Sequence, residues 1–345
     1  MRRAVTYSPG DMRVEDAAEP RIEDGELLIE VTSVGLCGSD YHAFRGHHPY
    51  SKFPQVQGHE VAGRILRSAP GTQGLFRAGD LVVVDPIRPC TVCFACRRGQ
   101  PNCCARLKVM GSHIPGALAE QIAAPEWAIH GIGSLDLKIA PLVEPLAVGL
   151  QAAKRGDVRT GDRVVVFGGG PIGLAVTLSC RERGAEVLVI DRVRERLQKA
   201  SIAGATQVCD STAEDVGGRV QEFTSGDGAA VVIEATGVPE LIQRSVEIVA
   251  NSGTVVVVGL SDKTVELPVI DLTRKEVNIH GSRNSVDLFP EAIELASRNQ
   301  DTLRSWVTHE VDLEQAPSML QFAIENPSAV EKALVYPNGI DSTLG

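Results

Sequence analysis

No stretch of this 345-residue chain strings together the roughly 18 apolar residues that a membrane-crossing helix needs, so no transmembrane segment is expected. The N-terminal run MRRAVTYSPGDMRVEDAAEP opens on Arg2 and Arg3 and then turns polar and acidic. It lacks the apolar stretch of a secretory signal, and a cytoplasmic location is expected. A basic patch is missing as well. Lys and Arg number 34 against 44 Asp and Glu, the net charge is −10, and nucleic acid is not an expected partner. That balance still allows an anionic substrate, because a single arginine dominates the field at short range. No internal repeat or low-complexity tract is visible. What is present is 43% hydrophobic and 23% charged residues at a mean hydropathy of +0.01. This is the composition of a soluble globular protein with a sizeable core, and at about 150 residues per domain the length suggests two domains.

Eight cysteines in a chain expected in the cytoplasm point to metal or redox chemistry rather than to a disulfide frame. Cys90, Cys93, Cys96 and Cys104 stand in a C-x2-C-x2-C-x7-C pattern. Short loops let four such thiolates converge on one zinc at about 2.3 Å in a closed tetrahedral site. Cys103 beside Cys104 leaves the fourth ligand ambiguous by one residue, and an iron–sulfur cluster is the alternative occupant. Unligated thiols in so dense a cluster would be an oxidation liability.

The texture of the chain changes near Ala147. Before it lie short β-type runs, Glu26 to Val34, VAGRIL around Arg64, and Leu81 to Val84, between Gly- and Pro-rich loops. After it, apolar runs alternate with helical stretches: Asp162 to Phe167, a helix from Pro171 to Arg183, Glu186 to Ile190 ending at Asp191, Ala229 to Ile233, and Thr254 to Val258. That alternation predicts βαβ units and a parallel sheet. The strand VVVVGL reads as near the sheet edge, where it would pair between subunits. FPEAIELASRNQ reads as a helix, and ALVYP as a strand that rejoins the first domain.

Gly168, Gly170 and Gly173 form G-x-G-x-x-G between a predicted strand and a predicted helix that opens on Pro171 and Ile172. In that context the glycines allow the tight turn and the close approach of backbone to a pyrophosphate, which then faces the helix N-terminus. Asp191 at the end of the next strand suits the adenosine ribose hydroxyls and repels a 2′-phosphate, which favours NAD. Arg192 and Arg194 nearby would suit the phosphate of NADP instead. Arg196, Thr236, Val258 and Gly259 complete the expected cofactor contacts.

Three further segments carry metal-ligating side chains: Cys37 in GLCGSD, His59 and Glu60 in QGHEVAG, and Glu144 in LVEPLA. Each alone has a bland reading, a packed cysteine or a surface histidine. Taken together and in this order, GLCGSD, GHEVAG, the four-cysteine loop, VEPLA, GGGPIGL and VVVVGL resemble the zinc-containing medium-chain dehydrogenase/reductase family from end to end. The resemblance implies an α/β plus mainly β fold. A GroES-like β-barrel catalytic domain would span residues 1–148 and 286–345, and a Rossmann domain with a doubly wound parallel sheet would span 149–285.

The resemblance further implies two zinc ions. Cys37 and His59 would hold the catalytic one, with Glu60 and Glu144 completing the shell directly or through water. Cys90, Cys93, Cys96 and Cys104 would hold the structural one. Such a zinc acts as a Lewis acid on a bound alcohol, whose hydride passes to NAD. Ser39 and His42 match a proton relay, although His42 also reads as a surface residue. Glu144, where many alcohol dehydrogenases carry cysteine, resembles the polyol branch. Arg283 and Asn284 in HGSRN, with NCC at Asn102 to Cys104, resemble the part of it that acts on sugar acids, in which Arg283 would grip the substrate carboxylate; the alternative is that Arg283 contacts cofactor or a neighbouring subunit. The expected reaction is oxidation of L-gulonate or L-galactonate at C5. A neutral polyol dehydrogenase, a threonine-type dehydrogenase and a non-catalytic zinc- and dinucleotide-binding relative are the alternatives, and a homodimer or homotetramer is the expected assembly. One segment departs from the family pattern: Gly116-Ala117-Leu118-Ala119-Glu120-Gln121 replaces the usual two glycines, aromatic and S/A-E-Y.

Overall fold

The computed structural model describes residues 1–48 and 52–340. It divides into two compact units, one built from Met1–Glu144 and the chain from Phe289 onward, the other from Pro145–Leu288.

The hub of the first unit is the strand Glu26–Leu36, whose sequence ELLIEVTSVGL is covered at almost every position. Its buried hydroxyls are satisfied, Thr32 donating to the Ala62 carbonyl at 3.0 Å and Ser33 to the Leu137 carbonyl at 2.8 Å, and the strand extends past the expected Val34 to deliver Cys37 at its end. It pairs antiparallel with Glu60–Ser68, which contains VAGRIL, with Gln121–Pro125, and with Lys332–Tyr336. Leu81–Val84 joins the outer side of Glu60–Ser68. ALVYP therefore does return the chain to this sheet, where Lys332–Tyr336 also lies parallel to Val307–Asp312. A smaller sheet of Asp11–Asp16, Arg2–Ser8 and Gln55–Val56 shares one core with the larger, containing Val5, Val56, Ile29, Val34 and Val335. Each such side chain contributes about 1.5–3 kcal/mol on burial. The helix Phe289–Arg298 buries Phe289, Ala292, Leu295 and Ala296 at helical spacing. It stops before Asn299, after which Gln300–Trp306 forms a helix of its own.

The second unit carries six parallel strands in the spatial order Gln207–Asp210, Glu186–Asp191, Arg163–Phe167, Ala229–Glu234, Val249–Val257, Asn278–Gly281. This is the Rossmann arrangement, and the order reverses between Arg163–Phe167 and Ala229–Glu234, where such sheets bind ligands beyond their carboxyl ends. The VVVV strand lies next to the edge of the sheet, as expected, but Val249–Val257 has a neighbour on each side and Val255 and Val256 are fully buried, so it has no free side for pairing between subunits. The edge strand is Asn278–Gly281, which is largely exposed. Among the described residues no helix is long and apolar enough to cross a membrane.

Candidate functional site

Cys37, His59 and Glu60 each place a ligand atom within 4.8 Å of the others. The backbone explains why. Cys37 follows the hub strand and caps the short helix Gly38–Phe44. His59 and Glu60 lie where the chain enters Glu60–Ser68, whose Glu60 stands opposite Gly35 across the ladder. Asp40 ties the two approaches together. Its carboxylate accepts the Cys37 amide at 3.0 Å and the Gly58 amide at 3.2 Å, and its Oδ2 lies 3.9 Å from His59 Nδ1. Burial works against a charged His59, but Asp40, Cys37 and Glu144 outweigh it and raise its pKa well above the usual histidine value. A pocket whose anions hold a proton so firmly suits a cation, and thiolate, imidazole and carboxylate together suit zinc.

Glu144, in the first turn of the helix Val143–Arg155, lies outside the 4.8 Å group. Burial, then Glu60 and Asp85, push its carboxyl up to about 7 against the opposing pull of His59 and Lys332. Glu60 is not alone. Lys332, fully buried, donates from Nζ to both its oxygens at 2.7 Å and to the Leu36 carbonyl at 3.3 Å. Reasoning from sequence missed Lys332 and Asp40. Asp40 sits inside the GLCGSD string and was open to notice, whereas nothing local marks Lys332.

Ser39 and His42 are three residues apart on the helix Gly38–Phe44 and so share one face. Ser39 is half-buried and His42 exposed. Partial burial, then Arg45 and His47, hold the His42 pKa below the usual value, which favours the neutral, proton-accepting ring. The segment Gly116 to Gln121, which departs from the family pattern, runs beside the residues that lead into His59, with the Leu118 amide donating to Gln57 O at 2.9 Å, the Ala117 amide to Gly58 O at 3.0 Å, and Leu118 itself buried.

The four thiols of Cys90, Cys93, Cys96 and Cys104 also fall within 4.8 Å of one another. Cys103 is exposed and outside the group, so the geometry selects Cys104. The backbone amides of Cys90 and Arg106 point at the Cys104 sulfur at 3.2 and 3.3 Å. The backbone amide of Val92, then Arg106 and neighbouring groups, lower the Cys90 thiol to about 6. Burial, then Cys93 and Cys104, push the Cys96 thiol up to about 12. Amides aimed at sulfur are the surroundings of a thiolate-held metal.

In the second unit Gly168, Gly170 and Gly173 link Arg163–Phe167 to the helix Pro171–Glu182. A Cβ at Gly173 would fall 1.8 Å from Gly168 O, so no other residue permits this close start of the helix. Asp191 accepts the Gly169 amide at 2.7 Å and the Val193 amide at 2.8 Å. Arg194 is drawn to Asp210 at 3.1 Å and Arg196 lies 4.0 Å from Asp191, leaving Arg192 as the exposed arginine of the three closest to that strand end in sequence with no ion pair to Asp191 or Asp210 among these contacts. Thr236, Val258 and Gly259 gather around Glu234, which accepts the Thr236 amide at 2.7 Å on its side chain and the Val258 and Gly259 amides at 2.9 and 3.1 Å on its carbonyl. Arg283 and Asn284 follow the edge strand. Arg283 is exposed, and Asn284 takes a left-handed φ of 45°.

Residues 23–134 match the alcohol dehydrogenase GroES-like domain, and residues 171–298 match the zinc-binding dehydrogenase model. The chain is 33% identical to L-galactonate-5-dehydrogenase of Escherichia coli K12, over 90% of this chain and 91% of that one. It is 32% identical to sorbitol dehydrogenase of Bacillus subtilis, over 98% of each. The alcohol dehydrogenase RspB of E. coli CFT073, solved in complex with NADH, superposes with a TM-score of 0.91 at 28% identity, covering 97% of this chain and 99% of that one.

Proposed function

Starting from a chain that belongs to the zinc-binding alcohol and polyol dehydrogenases, we propose that it uses NAD to oxidise the secondary hydroxyl of a sugar acid, at C5 of L-gulonate or L-galactonate, to a keto-acid. The observation that carries this reading is the gathering of Cys37, His59 and Glu60 within 4.8 Å in a chain similar over nine-tenths of its length to an L-galactonate-5-dehydrogenase. Cys37 and His59, with Glu60 and Glu144, would hold the catalytic zinc; Cys90, Cys93, Cys96 and Cys104 would hold the structural one. When bound, the catalytic zinc lowers the pKa of an alcohol, and NAD accepts its hydride.

The rest falls to side chains. Ser39 takes the substrate hydroxyl proton, and His42, neutral and exposed three residues on, passes it to solvent. Asp40 fixes the backbone on both sides of the metal-binding pair. Asp191 accepts the adenosine ribose hydroxyls, and the Gly168–Gly173 turn accommodates the pyrophosphate. Arg283 pairs with the substrate carboxylate.

The test is NADH formation from L-gulonate and from sorbitol with the zinc-loaded protein. The two substrates share the stereocentres near the reacting carbon and differ in a carboxylate against a hydroxymethyl group. One charge-assisted bond is worth about 1.5–3 kcal/mol, so kcat/KM should favour gulonate by at least about tenfold, and Arg283→Ala should abolish that preference. Equal rates, or a preference for sorbitol, would move the chain to the neutral polyol reading, which its 32% identity to a sorbitol dehydrogenase supports.

A further inference from the structure

A carboxylate taken fully out of water is costly unless donors surround it, and Glu234 is such a carboxylate. It closes the strand Ala229–Glu234, beside the point where the order of the parallel sheet reverses. Its side chain gathers donors from the loop that follows. Oε1 accepts the Thr236 amide at 2.7 Å, the Gly237 amide at 3.1 Å and the Thr236 hydroxyl, and Oε2 accepts the Gly237 amide at 3.1 Å. The Thr236 hydroxyl in turn accepts the Val238 amide at 3.0 Å. The main-chain carbonyl of Glu234 accepts the Val258 and Gly259 amides, from the loop after Val249–Val257. The two loops then meet through bare backbone. A Cβ at Gly259 would fall 2.0 Å from Gly237 N, and one at Gly237 would fall 2.5 Å from Leu260 O. Toward the glycine turn, the Ala235 amide donates to Phe167 O at 3.0 Å, and a Cβ at Gly168 would fall 2.8 Å from the Thr236 methyl. Three loops at the carboxyl end of the sheet are thus locked around one residue.

The sheet order decides what those loops would carry. The glycine turn after Arg163–Phe167 suits the pyrophosphate, and Asp191, on the neighbouring strand to one side, suits the adenosine ribose. The two halves of a dinucleotide leave the pyrophosphate in opposite directions, so the nicotinamide half extends to the other side, over the ends of Ala229–Glu234 and Val249–Val257. Each loop there has an exposed apolar residue, Val238 and Leu260, the lining that a flat ring covers. We propose that Glu234 is a positioning residue for the nicotinamide half of the cofactor. It acts through the loop and not by contact: its carboxylate fixes the Thr236–Val238 backbone against Gly259 and Leu260, and that paired backbone is the seat. The inference rests on the NAD-linked reading above and adds a residue that belongs to neither the glycine motif nor the metal sites.

The experiment uses the full chain and compares binding of NADH, read by its fluorescence, with binding of ADP, read by calorimetry. ADP carries the adenosine and the pyrophosphate but no nicotinamide half. Glu234→Leu has similar bulk and no acceptor. It should weaken NADH binding by at least about tenfold, the scale of one lost buried hydrogen bond, and leave ADP within about twofold of native. Glu234→Gln keeps one acceptor oxygen and should fall between the two. In the ligand-free chain, amide hydrogen exchange should accelerate at Thr236 and Gly237 in Glu234→Leu and stay native at Gly169, which Asp191 holds. If Glu234→Leu fails to fold, Glu234→Gln is paired with Gly237→Ala, whose methyl meets Leu260 O and opens the same seat with the carboxylate in place; both should weaken NADH and spare ADP. Native NADH affinity in Glu234→Leu, or in that pair, or an equal loss of NADH and ADP, would overturn the inference while leaving the enzyme reading intact. A native chain that bound neither NADH nor ADP would take the NAD-linked reading down with it.

Discussion

Replacing Asp191 by Asn tests how the dinucleotide site combines architecture with selectivity. The buried carboxylate accepts the Gly169 amide at 2.7 Å and the Val193 amide at 2.8 Å. Asparagine has the same shape but only one acceptor oxygen, so one of those amides, the Gly169 one buried and the Val193 one partly so, must face an NH2 group. An unsatisfied buried donor costs about 1–3 kcal/mol, and each kcal/mol lowers Tm by about 2–4 °C in a protein of roughly 150–250 residues. The lost charge also acts on the cofactor. A charge-assisted bond to the ribose is worth about 1.5–3 kcal/mol, so kcat/KM with NAD should fall by about 10- to 100-fold. NADP should lose less or gain, because the repulsion of its 2′-phosphate is relieved. Steady-state kinetics with both cofactors, alongside a thermal melt, read the two effects separately. An unchanged NAD-to-NADP ratio would refute the role of Asp191 in selectivity. An unchanged melting temperature would refute its role in holding the glycine turn.

Three further outcomes are expected. Elemental analysis should find two zinc ions per chain, one after Cys37→Ser, with activity lost, and one after Cys93→Ser, with the Cys37 site still loaded but Tm lowered. His42→Ala should reduce kcat by about 100-fold, the low end for a positioned proton acceptor. Because the His42 pKa lies below the ordinary value, the native rate should hold through neutral pH and fall only as pH drops below the usual histidine range, and that acidic limb should vanish in the variant. Finally, Cys96 is held protonated up to about 12 while Cys90 is a thiolate above about 6. Zinc added to the metal-free chain at pH 8 must therefore displace at least the Cys96 proton, and an indicator dye in weak buffer should register it. Zinc uptake with no proton release would contradict that account.

Features encoded by short-range spacing were legible from the residues alone. The four-cysteine loop, the glycine turn and the strands Leu81–Val84 and Glu186–Asp191 are each written within a dozen or so residues, where chain geometry leaves few alternatives. Helix ends were read to within a residue or two, as at Pro171–Glu182. What depends on distant pairing was not legible. The valine-rich strand is legible as lying near the edge, but the strand outside it is not, because Asn278–Gly281 has little apolar signal of its own. Lys332 was overlooked for the same reason. Lysine at the start of a strand reads as a solvated end, and its partner Glu60 is 272 residues away. The choice between Cys103 and Cys104 likewise needed three dimensions, since both fit the spacing.

The interruption of the first unit has a consequence for how the protein is made. Pro145–Leu288 is a single continuous segment and can close its sheet as soon as it has left the ribosome. The other unit begins earlier but finishes later. Until Lys332–Tyr336 is synthesised, the hub strand Glu26–Leu36 has an open side next to Cys37, an unpaired edge of the kind that invites wrong partners. The same late strand brings the Lys332 ammonium that meets Glu60. Sheet closure and completion of the metal pocket are therefore one event, timed by translation. Release of the chain before that strand emerges would leave the Glu60 carboxylate without the ammonium that meets it.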